Sequence, residues 1–335
     1  MNSQNLIVPD ASSAIGIAEN CKVCGNGHHN RTFLVREMMC GFRTEFTYVE
    51  CNSCSCLFLA DPPSDMSTYY PREYYSYRQP QVSNGVWRSA RRYTRQLRNE
   101  TYFGAWAQIR STLRVPCSHA ALYAFSKTGA TKHARILDVG CGSGILLQDL
   151  QDIGFENILG IDPLIEQDLE YASGLRVRKR YLADMRGTTW DVIMFHHSFE
   201  HMADPRGTLE TIASLLPKGG HCLIRIPVVS WAWEHYGVNW VQVDAPRHLF
   251  LHSEKSIKML AEQSGLTVTS IEYDSTEDQF VGSELYARNV ARNSINFETV
   301  SRFFSKKDLT KFRKETRTLN RQKRGDQASF HLVKL

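Results

Sequence analysis

Residues 136–144 read Ile-Leu-Asp-Val-Gly-Cys-Gly-Ser-Gly, and this stretch decides the fold. Its apolar start predicts a short buried strand, and Gly140, Gly142 and Gly144 predict a tight turn after it. Residues 145–153 then carry apolar side chains at helical spacing. Because glycine has no Cβ, this turn lets the backbone approach a ligand closely, with the free N–H groups of a helix start beside it.

Two kinds of ligand are held by such a strand, turn and helix. Dinucleotide-binding proteins place glycines as G-x-G-x-x-G and seat a pyrophosphate on the helix start. Here the spacing is G-x-G-x-G, and Asp138 stands two residues before the first glycine. An acid at this point favours a ligand with a cationic amino-acid end over a phosphate.

Two further acids follow the next predicted strands. Residues 157–162 read as a second buried strand that ends at Asp162, and Asp184 follows a third candidate strand near 177–182. The carboxyl ends of parallel strands face the ligand crevice of a doubly wound sheet. A carboxylate at Asp162 can accept both hydroxyls of a ribose, whereas Asp184 taken alone is more typical of a turn.

The order of elements continues through a fourth and a fifth strand. Residues 190–196 predict the fourth strand, and Asp204 with Pro205 predicts the start of a helix. Pro-Lys-Gly-Gly at 217–220 ends that helix, and residues 221–227 predict the fifth strand.

Residues 134–228 resemble class I methyltransferases that depend on S-adenosylmethionine (SAM). The resemblance implies a Rossmann-like, doubly wound, mostly parallel seven-stranded α/β sheet, with strands also at 266–273 and 329–335, the last antiparallel. It also implies that the three glycines seat the methionine part of SAM and that Asp184 approaches the adenine. A dehydrogenase interpretation would require a different glycine spacing.

Four cysteines form a second motif. Cys21 and Cys24 make one C-x-x-C knuckle, and Cys51 and Cys54 make another. Two knuckles complete a tetrahedral zinc site, and a small segment between them needs such support to fold. The alternatives are four unligated thiols or a redox pair. Cys56 could replace Cys54, and His28 or His29 could replace Cys24.

Residues 21–80 resemble the zinc-knuckle extension of methyltransferases from bacterial sugar and polysaccharide biosynthesis. The expected organisation is a flexible N-terminus (1–20), a zinc ribbon with a tyrosine-rich connection (21–80), a helical linker (81–130) and a methyltransferase domain (131–335). The linker carries arginines at 88, 91, 92, 95 and 98 that form either a solvated face or a phosphate clamp. Residues 274–328 are a basic helical insertion, either solvated or in contact with an anionic partner or another subunit.

An aromatic insertion at 229–252 suits an acceptor pocket, because it mixes apolar walls with a few polar groups. His248 lies in Asp-Ala-Pro-Arg-His-Leu-Phe, a segment that closely resembles one in the same methyltransferases. A neutral histidine can accept a proton, so His248 is the leading candidate for a general base, with a backbone-bonded structural histidine as the alternative. Glu200 and His201, after the fourth strand, rank second, and His196 and His197 rank lower.

Composition limits the class of protein. The chain has 335 residues, long enough for two units, and a net charge of only +5, which excludes a polycation. No apolar run approaches the ~18 residues of a membrane span, and no secretory signal is recognisable. Nine cysteines without such a signal favour reduced thiols and a cytoplasmic location.

The sequence therefore predicts methyl transfer from SAM to a small molecule, most consistently a sugar or nucleotide-linked sugar, with zinc as a structural metal. Two alternatives remain open. One is an RNA methyltransferase that holds nucleic acid with the ribbon and basic helices, and the other is a non-catalytic SAM-fold binding module. The oligomeric state is not predicted.

Overall fold

A computed structural model describes residues 20–70, 86–103 and 119–335, with the backbone alone for 86–92. Three expectations lie wholly or partly outside these residues. They are the flexible N-terminus, the tyrosines of the connection beyond Tyr70, and the middle of the helical linker. The side chains of Arg88, Arg91 and Arg92 also lie outside the described part.

The described chain contains twelve strands and nine α-helices, numbered here in chain order. The strands are β1 (Arg31–Arg36), β2 (Glu45–Glu50), β3 (Leu57–Leu59), β4 (Ile136–Val139), β5 (Ile158–Ile161), β6 (Leu169–Glu170), β7 (Arg176–Arg178), β8 (Val192–His196), β9 (His221–Pro227), β10 (Phe250–Leu251), β11 (Thr267–Tyr273) and β12 (Gln327–Val333). The helices are α1 (Val86–Glu100), α2 (Ala120–Ser126), α3 (Ile145–Asp152), α4 (Pro205–Leu215), α5 (Trp231–Tyr236), α6 (Glu254–Gln263), α7 (Asp278–Ala287), α8 (Phe297–Phe303) and α9 (Lys306–Arg321).

The chain divides into two compact units. The first unit consists of Met1–Tyr69, Pro227–Ile257 and Ser275–Asp326, and the second consists of Tyr70–Ile226, Lys258–Asp274 and Gln327–Leu335. The sequence predicts contiguous domains, whereas the first unit gathers the cysteine knuckles and both insertions. A pattern along the chain shows where elements lie, but not which distant segments share a core.

The second unit is built on an eight-stranded mixed sheet in the order β11-β12-β9-β8-β4-β5-β7-β6. β4 is parallel to both β5 and β8, β8 is parallel to β9, and β12 is antiparallel to β11. The predicted Rossmann-like, mostly parallel sheet is confirmed, but the prediction of seven strands was wrong by one. The additional strand is β6, two residues antiparallel to β7. Two residues are too few to show an alternating pattern.

The burial of its side chains explains why β4 lies at the centre of that sheet. All four residues of β4 are buried, as expected of a parallel strand covered on both faces. Asp204 caps α4 by accepting from the Gly207 N–H, with Pro205 in the first helical turn, as predicted. The core combines strand residues with helix residues such as Leu147 and Phe125.

The first unit contains a four-stranded sheet in the order β1-β2-β3-β10. β1, β2 and β3 form the hairpins between and after the cysteine knuckles, and β10 is contributed by residues 250 and 251. The expected separate N-terminal ribbon is therefore incomplete without a strand from the acceptor insertion. Its core includes the buried Tyr48, Trp233, Trp240 and Phe280.

Candidate donor site and cysteine cluster

The glycine turn after β4 lies at the carboxyl edge of the second unit's sheet. Gly140, Gly142 and Gly144 all have positive φ, at 72°, 54° and 74°. The Gly140 N–H donates to the Ile161 carbonyl at 2.8 Å. A Cβ on Gly140 would lie 2.4 Å from the Cβ of Ser198, so the turn has no room for a side chain there. Gly144 then starts α3.

Asp162 joins this turn to the end of β5. Its Oδ2 accepts from the Gly142 N–H at 2.9 Å, and its Oδ1 accepts from the Leu164 N–H at 2.8 Å. Burial raises the pKa of Asp162, and these two backbone bonds oppose that shift. Each carboxylate oxygen keeps a lone pair for a further donor. The side chain can therefore hold the turn and still accept a ligand hydroxyl.

Asp138 is a buried acid beneath the glycine turn. Only 3% of the residue is exposed, and its Oδ1 has no hydrogen-bond partner among the described residues. Burial, followed by the nearby Asp162 charge, raises the pKa of Asp138 to about 8. A buried polar atom without a partner is costly, so this oxygen fits a cationic ligand group.

Asp184 lies in a 3₁₀ turn, Leu182–Met185, after β7. It is exposed, and its carboxylate accepts from the Tyr181 N–H at 2.9 Å. That bond closes the residue's own turn. A contact with adenine stays a prediction.

Glu200 and His201 lie in a 3₁₀ turn, Phe199–His201, after β8. Glu200 is fully buried, and its Oε1 lies 3.4 Å from Nδ1 of His197. His201 is half-buried, with Nδ1 3.3 Å from the hydroxyl of Tyr70. Both side chains therefore lie at the carboxyl edge, where a doubly wound sheet binds ligands.

His197, which ranked low as a candidate from the sequence, lies in a bonded network between Arg225 and Glu200. It has a φ of 55°, unusual for a residue with a side chain, and its Nε2 lies 2.8 Å from Nη1 of Arg225. Arg225 in turn donates to Asp274 at 2.6 Å. Because an arginine can only donate, Nε2 accepts and the proton is on Nδ1, which faces Glu200. Arg225 and Asp274 lie 28 and 77 positions after His197 in the sequence, so no local pattern could have linked them to it.

His196, at the end of β8, is a second histidine that ranked low. Neither ring nitrogen has a hydrogen-bond partner among the described residues. Burial, followed by the positive Arg225, lowers the pKa of His196 well below its usual value. This imidazole is therefore neutral.

His248 lies in the first unit and is buried, with 6% of the residue exposed. Its Nδ1 lies 2.7 Å from the Gln242 carbonyl, so Nδ1 carries the proton, and its Nε2 lies 3.6 Å from Asp244. The ring is oriented by backbone, as the structural alternative proposed, and a proton on Nδ1 makes Nε2 the nitrogen that a base would use. Its catalytic role stays a prediction.

The four cysteines of the two knuckles lie together in the first unit. The Sγ atoms of Cys21, Cys24, Cys51 and Cys54 are all within 4.8 Å of one another. Cys21 and Cys54 are 3.6 Å apart, and Cys24 and Cys51 are 3.5 Å apart. Four thiolates about 2.3 Å from a tetrahedral zinc ion lie about 3.8 Å apart, so the donor set fits zinc.

The other candidate ligands lie outside this cluster. Cys56 is buried with its Sγ 3.9 Å from Nδ1 of His252. His28 and His29 are exposed and are not members of the group. Of these candidate ligands, the four cysteines of the two knuckles are therefore the ones that lie together.

One arginine of the arginine-rich helix α1, Arg95, forms ion pairs with α3. Arg95 pairs with Asp149 at 3.0 Å and with Asp152 at 3.7 Å, both on α3. This arginine is therefore already paired within the second unit. Among the described side chains of α1, Thr94 and Leu97 are exposed.

Residues 108–271 match the family model described as a methyltransferase domain. These matched residues make up just under half of the chain. The match includes the glycine turn, the three candidate acids of the donor site, Glu200, His201 and His248, whereas the four cysteines precede it. Among the described residues, no helix is long and apolar enough to cross a bilayer.

Curated relatives that match part of this chain are named ubiquinone biosynthesis O-methyltransferase. The protein from Bordetella avium is 33% identical over 103 residues, which are 28% of this chain and 42% of that protein. The protein from Cronobacter sakazakii is 27% identical over 139 residues, 37% of this chain and 56% of that protein. The chain thus spans about half the length of these relatives.

Solved structures of similar proteins include a SAM-dependent methyltransferase from Archaeoglobus fulgidus. It is 20% identical with a TM-score of 0.39, covering 71% of this chain and 98% of that one. The cyclopropane synthase MmaA2 from Mycobacterium tuberculosis is 18% identical with a TM-score of 0.40, covering 63% and 81%.

Proposed function

We propose that this protein transfers a methyl group from SAM to a small-molecule acceptor. The observation that carries the proposal is the joint geometry of the glycine turn, the carboxylate of Asp162 and the buried Oδ1 of Asp138, which has no partner among the described residues. The match of residues 108–271 to a methyltransferase domain supports it independently.

The residues of the donor site divide the work of binding. The glycine turn seats the methionine part of the donor, Asp138 receives its amino group, Asp162 accepts the ribose hydroxyls, and Asp184 is proposed near the adenine. SAM supplies a methyl group on a sulfonium, which is a good leaving group. The protein's part is to hold the acceptor in line with that methyl group.

The acceptor we propose is a sugar or a nucleotide-linked sugar. The combination of two cysteine knuckles with a methyltransferase domain supports this class, by analogy with bacterial sugar methyltransferases. The names of the curated relatives support a small-molecule acceptor more generally. Incubation with methyl-labelled SAM and a panel of nucleotide sugars tests this; label in no sugar contradicts it.

His248 is the proposed base, with Glu200 or His201 in second place. We expect His248→Ala to lower kcat about 100-fold or more, since positioned general bases contribute about 10²–10⁴. Affinity for S-adenosylhomocysteine (SAH) should stay unchanged. His133→Ala is the control, because this histidine is exposed and precedes β4, at the end of that strand opposite the glycine turn. Unchanged turnover of His248→Ala at saturating SAM removes His248 from the proposal.

Donor binding should release a proton. The pKa of Asp138 is raised to about 8, so its carboxyl is protonated at pH 6.5 in the free protein. A cationic amino group beside it lowers that pKa, and up to about one proton leaves. Calorimetry with SAH at pH 6.5, in two buffers of different ionisation enthalpy, measures this release. Equal heats in both buffers contradict it.

The same group sets a pH dependence of stability. The folded chain holds the Asp138 proton more tightly than the unfolded chain does. The contribution of this group to the free energy of unfolding therefore falls as pH rises from about 4 to about 8.

Zinc at the cysteine cluster is proposed as a structural metal. We expect one zinc ion per chain by elemental analysis of protein purified without chelators. Cys21→Ser should lose this zinc, whereas Cys40→Ser should keep it, because Cys40 is a free thiol outside the cluster. Zinc retained in full by Cys21→Ser contradicts the assignment.

A second acceptor class, RNA, is favoured by one observation. Residues 306–324 carry nine basic and two acidic side chains, a net +7, against +5 for the whole chain. Binding of RNA would weaken steeply with salt, because phosphate contacts release counterions. Label from SAM in RNA fractions and not in sugars would favour this class, and SAH binding without any transfer would favour a non-catalytic module.

A further inference from the structure

The cysteine knuckles and the segment that carries His248 share one sheet. β3, which follows Cys54 by three residues, pairs with β10 in the register Phe58 with Phe250 and Leu57 with Leu251. The Leu59 N–H also donates to the Leu249 carbonyl at 2.9 Å. β10 has β3 as its partner in this sheet, where it is the edge strand. The chain directly after His248 is thus held by the chain directly after the second knuckle.

Side chains add three bonds between the same two regions. The Ser253 hydroxyl donates to the Cys54 carbonyl at 2.5 Å, and the Lys255 amine lies 2.5 Å from the Ser53 carbonyl. The hydroxyl of Tyr48, on β2, donates to the His248 carbonyl itself at 2.8 Å. Tyr48 is fully buried, as are Cys54 and Leu251. The Tyr48 and Ser253 bonds are therefore shielded from competing water, whereas the Lys255 bond is exposed.

The position of the His248 ring depends on these supports. Its Nδ1 is bonded to the Gln242 carbonyl, six residues earlier, so the ring is fixed relative to its own loop. The loop itself is attached through the His248 carbonyl, Leu249 and β10 to the knuckle hairpins. A short strand is held by its neighbours: β10 pairs with β3, and the His252 carbonyl directly after it accepts from the Val229 N–H at 2.9 Å.

We propose that the four-cysteine cluster positions residues 242–252 for acceptor chemistry, and that its metal is required for that position but not for donor binding. This inference rests on the proposed function and adds a role for Tyr48 as a positioning residue. The donor-site residues belong to the eight-stranded sheet, which contains neither β3 nor β10. Loss of the metal leaves four sulfurs within 4.8 Å without a common ligand and releases the hairpin that holds β10.

Hydrogen exchange tests this on the full chain before and after zinc is removed by a chelator. We expect amides at 246–252 to exchange about tenfold or more faster without zinc, while those of Ile136–Val139 exchange unchanged, because local opening is confined to the region that lost its support. SAH affinity should stay within about twofold, and added zinc should restore protection. Unchanged exchange at 246–252, or an equal increase at 136–139, overturns the proposal.

Tyr48→Phe tests the link without touching a metal ligand. The variant should keep its zinc and its SAH affinity, yet its amides at 246–252 should exchange faster. Its kcat should fall, while its KM for SAM stays unchanged. Tyr69→Phe is the matched control, since its ring packs on Phe42 and Phe46 in the same unit. Exchange at 246–252 in Tyr48→Phe that matches the control contradicts the link. The exchange results stand even if no methyl transfer is found, so the two proposals can fail separately.

Discussion

Gly140→Ala is expected to abolish donor binding, with a loss of SAH affinity of about 100-fold or more, which corresponds to about 2.7 kcal/mol. The new Cβ would lie 2.4 Å from the Cβ of Ser198. Ser198 is not free to move, because its hydroxyl donates to the Val139 carbonyl at 2.6 Å. The turn must therefore shift, and with it the backbone N–H groups that face the donor. Calorimetric titration with SAH measures the loss.

Gly174→Ala separates the clash from the cost of backbone strain. Gly174 has a similar φ, 83°, but no atom lies within 4 Å of its hypothetical Cβ. In both variants a left-handed alanine destabilises the chain by about 1–2 kcal/mol. Overpacking adds a further cost of about 1–3 kcal/mol only at Gly140. Ser198→Gly should partly restore binding to Gly140→Ala. Equal SAH affinity in Gly140→Ala and Gly174→Ala would contradict the role of the turn.

Asp162→Ala is expected to lower SAH affinity by about 100-fold, since each hydrogen bond to a charged group contributes about 1.5–3 kcal/mol. The substitution removes the acceptor for the Gly142 N–H and the acceptor for the Leu164 N–H. It also removes the proposed contact with the ribose. The expected loss thus combines a loosened turn with a missing ligand bond, and equilibrium binding of SAH measures both together.

Asp184→Ala is the control for Asp162→Ala, because it also removes an acid predicted to lie in the donor site. Both acids were predicted in the donor site, but Asp184 is exposed and closes its own turn through the Tyr181 N–H. Exposed substitutions usually change free energies by about 0.5 kcal/mol or less, so SAH affinity should fall less than about fivefold. A larger loss in Asp184→Ala than in Asp162→Ala would reverse the assignment of the two acids.

Local patterns in the sequence predicted the elements that form the second unit's sheet. The run 136–144 gave β4 and the turn, and Asp204 with Pro205 gave the start of α4, because capping and glycine turns depend on neighbouring residues. The prediction missed β6, which is too short to show a pattern. It also missed the pairing of β10 with β3, because that contact joins residues nearly 200 positions apart.

In the candidate sites too, features set by neighbouring residues were predicted, and features set by long-range packing were missed. The four cysteines came together as their spacing predicted, since each knuckle places two sulfurs locally. The network of Arg225, His197 and Glu200 was missed, because it depends on β8 and β9 lying side by side. The orphaned oxygen of Asp138 is likewise a property of packing, so the sequence showed the acid but not its raised pKa.

The most direct measurement of the central claim is calorimetric titration of the purified full chain with SAH. We expect saturable binding at one site, with a Kd of about 1–100 μM, in the range of typical enzyme substrates. Asp162→Ala measured beside it should show little or no heat. Absence of heat with the unmodified chain, or equal binding by Asp162→Ala, would contradict a donor held between the glycine turn and this carboxylate.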